Sequence, residues 1–273
     1  MAADDRALAG RTILAVFAHP DDESLACGGT LARIADAGAR VVLVCASRGE
    51  GGSITDPSLV PDGDLAAVRA RELREAADVL GIADVLLLNH PDGNLRWADV
   101  PEFHAEIVGA IREHRPDAVM TFAEDGLYWH ADHIGVHERT RTAVRSFGDD
   151  APSLYYITMP KGMMREVVEA AIADGWVQPD SGVWGIAPDA FGGIARPPSF
   201  VVDVRDWVPR KVAALGCHRT QMGRNSPIAR LDAADARRWL GIEQFRRARP
   251  HSGTSLLERL GDPVAQRKAR RRV

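Results

Sequence analysis

Cysteine is scarce in this 273-residue chain. Its three copies, Cys27, Cys45 and Cys217, stand far apart with no Cys-x-x-Cys spacing. That excludes a disulfide framework and suits reduced thiols, so a cytoplasmic location is expected. Long apolar runs are also missing: no stretch of about 18 residues is apolar enough to span a bilayer. The opening segment MAADDRALAG is acidic and has no apolar core, so no signal peptide is expected. Positive charge is not in surplus either. Lys and Arg total 34 against 38 Asp and Glu, a formal net charge of −4, which argues against nucleic acid or anionic lipid as a partner. The terminal RKARRRV is a short basic tail, and it reads as a solvated end. There is no internal repeat and no long low-complexity tract. What is present, 45% hydrophobic and 26% charged residues, is the profile of a soluble globular protein.

The first half alternates strand-like and helix-like stretches. RTILAVFA, RVVLVCAS, ADVLLLN and DAVMTF are short, continuous and rich in β-branched residues. Between them, residues 23–39, 64–81 and 100–116 carry apolar side chains at helical spacing; Leu73, Ala76, Ala77 and Leu80 form one stripe, closed by Gly81. Continuous apolar strands joined by amphipathic helices imply parallel βαβ units with both sheet faces covered. Right-handed crossovers then place every strand's C-terminal end on one edge. The segments HPDDE, SRGEGG, NHPDGNL and AEDGLYWHADH should therefore meet at one rim. The second half is less regular. SLYYITM and SFVVDV read as strands, residues 161–175 and 206–222 as helices, and the Gly- and Pro-rich residues 176–199 as loops walling a cleft. The expected architecture is a single α/β domain over 1–273. Residues 1–150 form an α/β core with a mostly parallel sheet covered on both faces, and 151–273 supply the smaller irregular C-terminal part.

Two clusters carry the chemistry. The first, FAHPDDE, sets His19, Asp21, Asp22 and Glu23 just after an apolar strand. Acids in a helix's first turn suit its dipole, and Asp is a good N-cap. That explains one or two carboxylates but not the histidine at the strand end. The second, YWHADHIGVH, holds His130, Asp132, His133 and His137. With a helix starting near Asp132, His137 falls on the packed stripe of Val136, Thr140 and Val144, so a structural role is expected for it. Two histidines and a carboxylate from different strand ends make a three-ligand site with open positions, the pattern of hydrolytic zinc. Such chemistry also needs a carboxylate base and an acid for the leaving group. Spacing alone leaves open which Asp ligates and which takes the proton.

AHPDDESLACGGTLA together with HADH resembles the PIG-L/LmbE family of zinc-dependent de-N-acetylases. The likeness continues in SRGEGG, RARELREAADVLG, HPDGNL and KVAALGCHRTQ. The resemblance implies a Rossmann-like three-layer sandwich in which His19, Asp22 and His133 bind one Zn²⁺ per chain and Asp21 is the general base. It implies that His130 stabilises the tetrahedral intermediate and protonates the departing amine or assists that step. Asp132 becomes an orienter behind the histidines, Tyr128 a polariser of the amide oxygen, and Arg69 and Asp92 substrate holders. Plainer roles compete: Arg69 as an ion-pair partner of Glu72 or Glu75, Asp92 as a turn residue, Tyr128 as packing, and Cys27 as a small buried residue. Trp97 and Trp129 sit in rim loops, either stacked on a sugar or packed by an edge. Many relatives have Gly and Pro where this chain has Trp129 and Ala131, so the mouth is expected to differ.

The function so implied is removal of an N-acyl group, first of all acetyl, from an amino sugar or glucosaminyl conjugate. A thiol S-conjugate amidase of the same family is the alternative. A phosphoesterase holding Mg²⁺ is disfavoured by the imidazole ligands, and a nucleotide-binding module by the absence of GxGxxG after the first strand. The partner is a small molecule, and the chain is compatible with a homo-oligomer.

Overall fold

In the computed structural model, residues 7–54, 56–97, 100–192, 196–223, 226–248 and 256–260 are described. The strands are β1 (Thr12–Phe17), β2 (Arg40–Cys45), β3 (Asp84–Leu87), β4 (Ala118–Phe122), β5 (Ser153–Thr158), β6 (Phe200–Asp203) and β7 (Ile242–Arg247). The helices are α1 (Asp22–Asp36), α2 (Leu65–Leu80), α3 (Val100–His114), α4 (Gly126–Trp129), α5 (Ala131–Arg145), α6 (Met163–Ala173), α7 (Val208–Cys217) and α8 (Ala233–Trp239). One seven-stranded sheet runs in the order β3-β2-β1-β4-β5-β7-β6. The pairs from β3 to β5 are parallel, while β7 runs antiparallel to both β5 and β6. This is the expected α/β architecture with a mostly parallel sheet.

The sequence explains the layers. β1, β2 and β4 are buried almost end to end, because α1, α2 and α7 pack together on one side and α3 with α5 on the other. Phe17 and Phe122 meet edge to face in the centre, 5.1 Å between rings. Helix α2 begins where Asp64 accepts a hydrogen bond from the Ala67 N–H and ends at Gly81, φ 79°. Its predicted stripe of Leu73, Ala76, Ala77 and Leu80 is buried.

Three elements depart from the sequence reading. The predicted helix over 206–222 stops at Cys217. There the chain turns so that His218 and Thr220, both fully buried, reach the carboxylates of Glu23 and Glu72. Strand β7 and helix α8 were not anticipated. β7 alternates as a strand should, but its inward residues are Glu243 and Phe245, and a buried Glu disguises the pattern. Glu243 is compensated by Lys211 at 2.6 Å. It also accepts hydrogen bonds from the Gly29 and Thr30 N–H groups, where α1 is broken at Cys27, φ −152°. The carboxylate thus serves the second half of α1 as a cap supplied from a distant strand. The basic RKARRRV segment lies outside the described residues.

Candidate metal and active site

The chain order reverses direction across the sheet between β1 and β4, the place where open α/β sheets form a crevice. His19 stands two residues beyond β1. Asp22 opens α1, and His130, Asp132 and His133 open α5 beyond β4. The four rim segments meet here as expected. Asp132, fully buried, accepts hydrogen bonds from Gly93 N–H (2.7 Å) and Leu95 N–H (2.9 Å), and its Oδ2 lies 3.2 Å from His19 Nε2. Asp92 Oδ1 lies 3.0 Å from the same nitrogen, and its Oδ2 accepts from Gly51 N–H at 2.9 Å. Gly135 lets α5 come close to this loop, since a Cβ there would stand 2.7 Å from Arg96 Cα.

The tautomers follow from these partners. The two carboxylates accept a hydrogen bond from Nε2–H of His19 and so leave the lone pair on Nδ1, which points toward Asp22 Oδ2 at 3.4 Å. His133 Nδ1 is 3.1 Å from the Gly126 carbonyl, which can only accept. The lone pair of His133 is therefore on Nε2, 3.1 Å from Asp22 Oδ1. That nitrogen is buried and has no aligned hydrogen-bond partner. Two imidazole lone pairs and both oxygens of one carboxylate thus converge, an arrangement that calls for a positive charge between them. The same demand acts on His19 itself. Burial would lower its pKa, yet Asp132, Asp22 and Asp92 hold it well above the ordinary value. Asp22 is held well below the carboxylate range, because the adjacent histidines outweigh its burial. A divalent cation fits this donor set, and two nitrogens with a carboxylate favour a transition metal over Mg²⁺. His133 is locked by stacking on Phe122, 4.0 Å between rings and 3° between planes. Ligand atoms of His19, His130 and His133, and of His19, Asp92 and Asp132, also lie within 4.8 Å of one another.

Asp21 does not cap α1. Its side chain makes no capping hydrogen bond, and its backbone sits at φ 119°, strained for a residue with a Cβ. Several contacts hold it there. Its N–H donates to Glu23 Oε2 (3.1 Å), and its Oδ2 accepts from Arg69 Nη2 (3.1 Å). Burial pushes the Asp21 carboxyl up to about 6 with help from the Asp22 charge, against the lowering influence of Arg69. Arg69 is buried and also donates to the carbonyls of Pro20 (2.5 Å) and Gly49 (2.8 Å). The glycines of SRGEGG make room for it: a Cβ on Gly49 would fall 2.4 Å from the guanidinium carbon. The ion pair of Arg69 with Glu72 or Glu75 does not form. Glu72 binds Thr220 and Glu75 pairs with Arg219.

His130 stacks on His133 with 4.5 Å between rings. Burial and the neighbouring histidines push its pKa down to about 4. The Tyr128 ring stands 5.2 Å from His133 and 4.7 Å from Phe191, and burial raises its hydroxyl pKa well above 10. Asp92 is both a turn residue and a site neighbour; despite burial, its contact with His19 holds it at about 2. His137 packs in the core with Nδ1 2.9 Å from the Phe122 carbonyl, the structural role expected. Cys27 is buried, and burial raises its pKa well above the ordinary value. Trp97 and Trp129 are 75% and 51% exposed on the rim.

Sequence reasoning assigned no role to one pair behind the site. His218 Nε2 lies 2.8 Å from Glu23 Oε1, and both side chains are buried. Glu23 in turn carries the Asp21 N–H. The signal was present as the His of KVAALGCHRTQ, but a histidine 195 positions from its partner has no local pattern to mark it.

A profile of the PIG-L family, described as GlcNAc-PI de-N-acetylase, matches residues 14–144. A 1D-myo-inositol 2-acetamido-2-deoxy-alpha-D-glucopyranoside deacetylase of Kineococcus radiotolerans is 36% identical, over 78% of this chain and 69% of that protein. A deacetylase of the same name from Thermobispora bispora is 34% identical, over 87% of this chain and 88% of its own. Among solved structures, the conserved protein TT1542 of Thermus thermophilus superposes with a TM-score of 0.61 at 27% identity, covering 88% of this chain and 96% of its own. Among the described residues no helix is long and apolar enough to cross a membrane.

Proposed function

Because the chain belongs to the PIG-L family, we propose that it is a metal-dependent amidohydrolase that removes an N-acyl group, acetyl first, from an amino sugar or glucosaminyl conjugate. The observation that carries this reading is the convergence of the His19 and His133 lone pairs on Asp22. These three residues hold the cation, one Zn²⁺ per chain. When bound, it polarises the amide carbonyl and makes water more acidic.

The rest of the chemistry belongs to the chain's own side chains. Asp21 takes the proton from the attacking water. Its carboxylate is fixed by Arg69, and its strained backbone by Glu23, so little reorganisation is needed at the moment of transfer. The proton that Asp21 takes from the water goes on to the leaving nitrogen, which departs as the free amine, and His130, whose Nδ1 accepts the Asp132 N–H, assists by holding the tetrahedral oxygen through Nε2. Asp132 keeps the His19 proton on Nε2 and so keeps Nδ1 free to ligate. Tyr128 covers His130 and His133 on the side of Phe191 and directs its hydroxyl to the amide oxygen. Arg69 and Asp92 act on the substrate indirectly, through Asp21 and His19. The named substrate of the curated relatives, an inositol 2-acetamido-2-deoxy-glucopyranoside, belongs to the proposed class.

The test is acetate release from a panel of N-acetyl amino-sugar conjugates, before and after metal removal and zinc restoration. Turnover that depends on zinc and falls roughly 10²–10⁴-fold in Asp21→Asn, with zinc retained, supports the assignment. Full activity in the chelated protein, or loss of zinc in Asp21→Asn, contradicts it.

A further inference from the structure

The backbone of Asp21, φ 119° and ψ −25°, is one that a residue with a Cβ keeps only where neighbours over-determine it. Two anchors do so. Arg69, on α2, fixes Oδ2, and Glu23 fixes the N–H. A glutamate side chain has several rotamers, so Glu23 needs an anchor of its own. Its Oε1 accepts from Ser24 Oγ at 2.5 Å and lies 2.8 Å from His218 Nε2. His218 is itself set by backbone. Its N–H donates to the Leu215 carbonyl, and its own carbonyl accepts from Gln221 and Met222 N–H at 3.0 and 2.7 Å. Two residues on, Thr220 donates its N–H and its hydroxyl to the Glu72 carboxylate at 2.9 and 2.6 Å. Glu72 lies one turn beyond Arg69 on α2. One helix thus holds Asp21 at both ends: the carboxylate directly, and the N–H by way of Thr220, His218 and Glu23. Glu23, Glu72, His218 and Thr220 are all buried, so water does not replace a lost link.

Resting on the assignment of Asp21 as the base, we infer that His218 is a positioning residue for the reaction: through Glu23 it holds the Asp21 backbone in the conformation that aims its carboxylate at the attacking water. His218 touches neither substrate nor ion. Without it Glu23 swings, Asp21 relaxes toward an ordinary φ, and its carboxylate turns away. Proton transfer falls steeply with such a displacement, while binding of the sugar and of zinc does not depend on it.

The test uses two substitutions of the same chemistry and different reach. The side-chain amide of Gln extends as far as imidazole Nε2, and that of Asn only as far as Nδ1. With the zinc-loaded protein and an N-acetylglucosaminide, His218→Asn should lower kcat roughly 10–100-fold, with KM within about twofold and zinc content unchanged. His218→Gln should recover most of kcat. In the Asp21→Asn background, His218→Asn should have no further effect, because a base already removed cannot be misplaced. A role in folding alone predicts no such dependence on Asp21. Exchange of the Asp21 amide proton, followed by NMR, should quicken at least about tenfold relative to the amides of β2 in His218→Asn. Glu23→Asp, which keeps a charge beside His218 but draws it back from the Asp21 N–H, should lower kcat in the same way, and it decides the matter if His218→Asn does not fold. An unchanged kcat, a comparable fall in the Asp21→Asn background, or accompanying loss of zinc overturns the inference. If the wild type hydrolyses no N-acetyl conjugate, the deacetylase reading fails and the amide still decides: quickened Asp21 exchange supports the linkage, and unchanged exchange refutes it.

Discussion

Replacing Arg69 by Met separates two roles that its position in the sequence could not distinguish. A residue that only holds substrate leaves stability alone when it is removed. The structure places Arg69 inside, 3% exposed, with hydrogen bonds to Gly49 O, Pro20 O and Asp21 Oδ2. Each is a bond from a charged donor, typically about 1.5–3 kcal/mol net. Their full sum overstates the loss, because Met refills the volume and the guanidinium no longer has to be desolvated. The Asp21 side chain is 19% exposed, so water can replace part of what it loses. Breaking one side of a buried pair typically costs about 3–5 kcal/mol; with that exposure the lower figure applies, about 3 kcal/mol. For a domain of this size that is a fall of roughly 6–12 °C in melting temperature. Urea and thermal unfolding of the zinc-loaded protein measure it, and Arg69→Lys should recover only part, since an ammonium cannot span three acceptors as a planar fork does. A variant that melts within about 1 °C of the wild type while KM rises would refute the reasoning and restore Arg69 to a purely substrate-facing role.

Two further outcomes are expected. Asp132→Asn should weaken zinc binding about 10–100-fold without removing a ligand, measured by competition with a chromogenic chelator; an unchanged affinity would show that the Asp132–His19 contact does not orient the ring. The Glu23–His218 pair should make stability depend on pH. Burial lowers the His218 pKa, but the charge and hydrogen bond of Glu23 raise it further, so the net shift is upward; the Glu23 pKa is lowered by His218 and Ser24 against its burial. A raised histidine contributes in full below its unfolded value of 6.5 and loses that contribution as pH climbs through the folded value. A lowered glutamate contributes above 4.5 and loses it as pH falls through the folded value. The gap in urea midpoint between wild type and His218→Asn should therefore narrow as pH rises above 6.5; a constant gap would remove charge from the account of this pair.

Much of the fold was legible because the parallel half announces itself locally. β1, β2 and β4 are unbroken apolar runs, and α2 carries both its cap and its stop. The site was legible in part for the same reason: HPDDE and HADH each compress several functional groups into a few residues at a strand end. What escaped depends on partners far away in sequence. β7 turns a glutamate inward, which makes sense only beside Lys211 and the broken turn of α1. α7 ends early because His218 and Thr220 have buried carboxylates to satisfy. Arg69 reads as a surface helix residue until the SRGEGG loop is seen to fold over it. In each case a polar residue is buried by a contact that no local periodicity records.

Zinc content by mass spectrometry, across four variants dialysed against the same zinc buffer, locates the ion. Roughly one zinc per chain is expected in the wild type and in Asp21→Asn, and almost none in Asp22→Ala and His133→Ala. Full occupancy in those two, with loss in Asp92→Asn instead, would move the ion to the other face of His19, between Asp92 and Asp132, and contradict its assignment to Asp22 and His133.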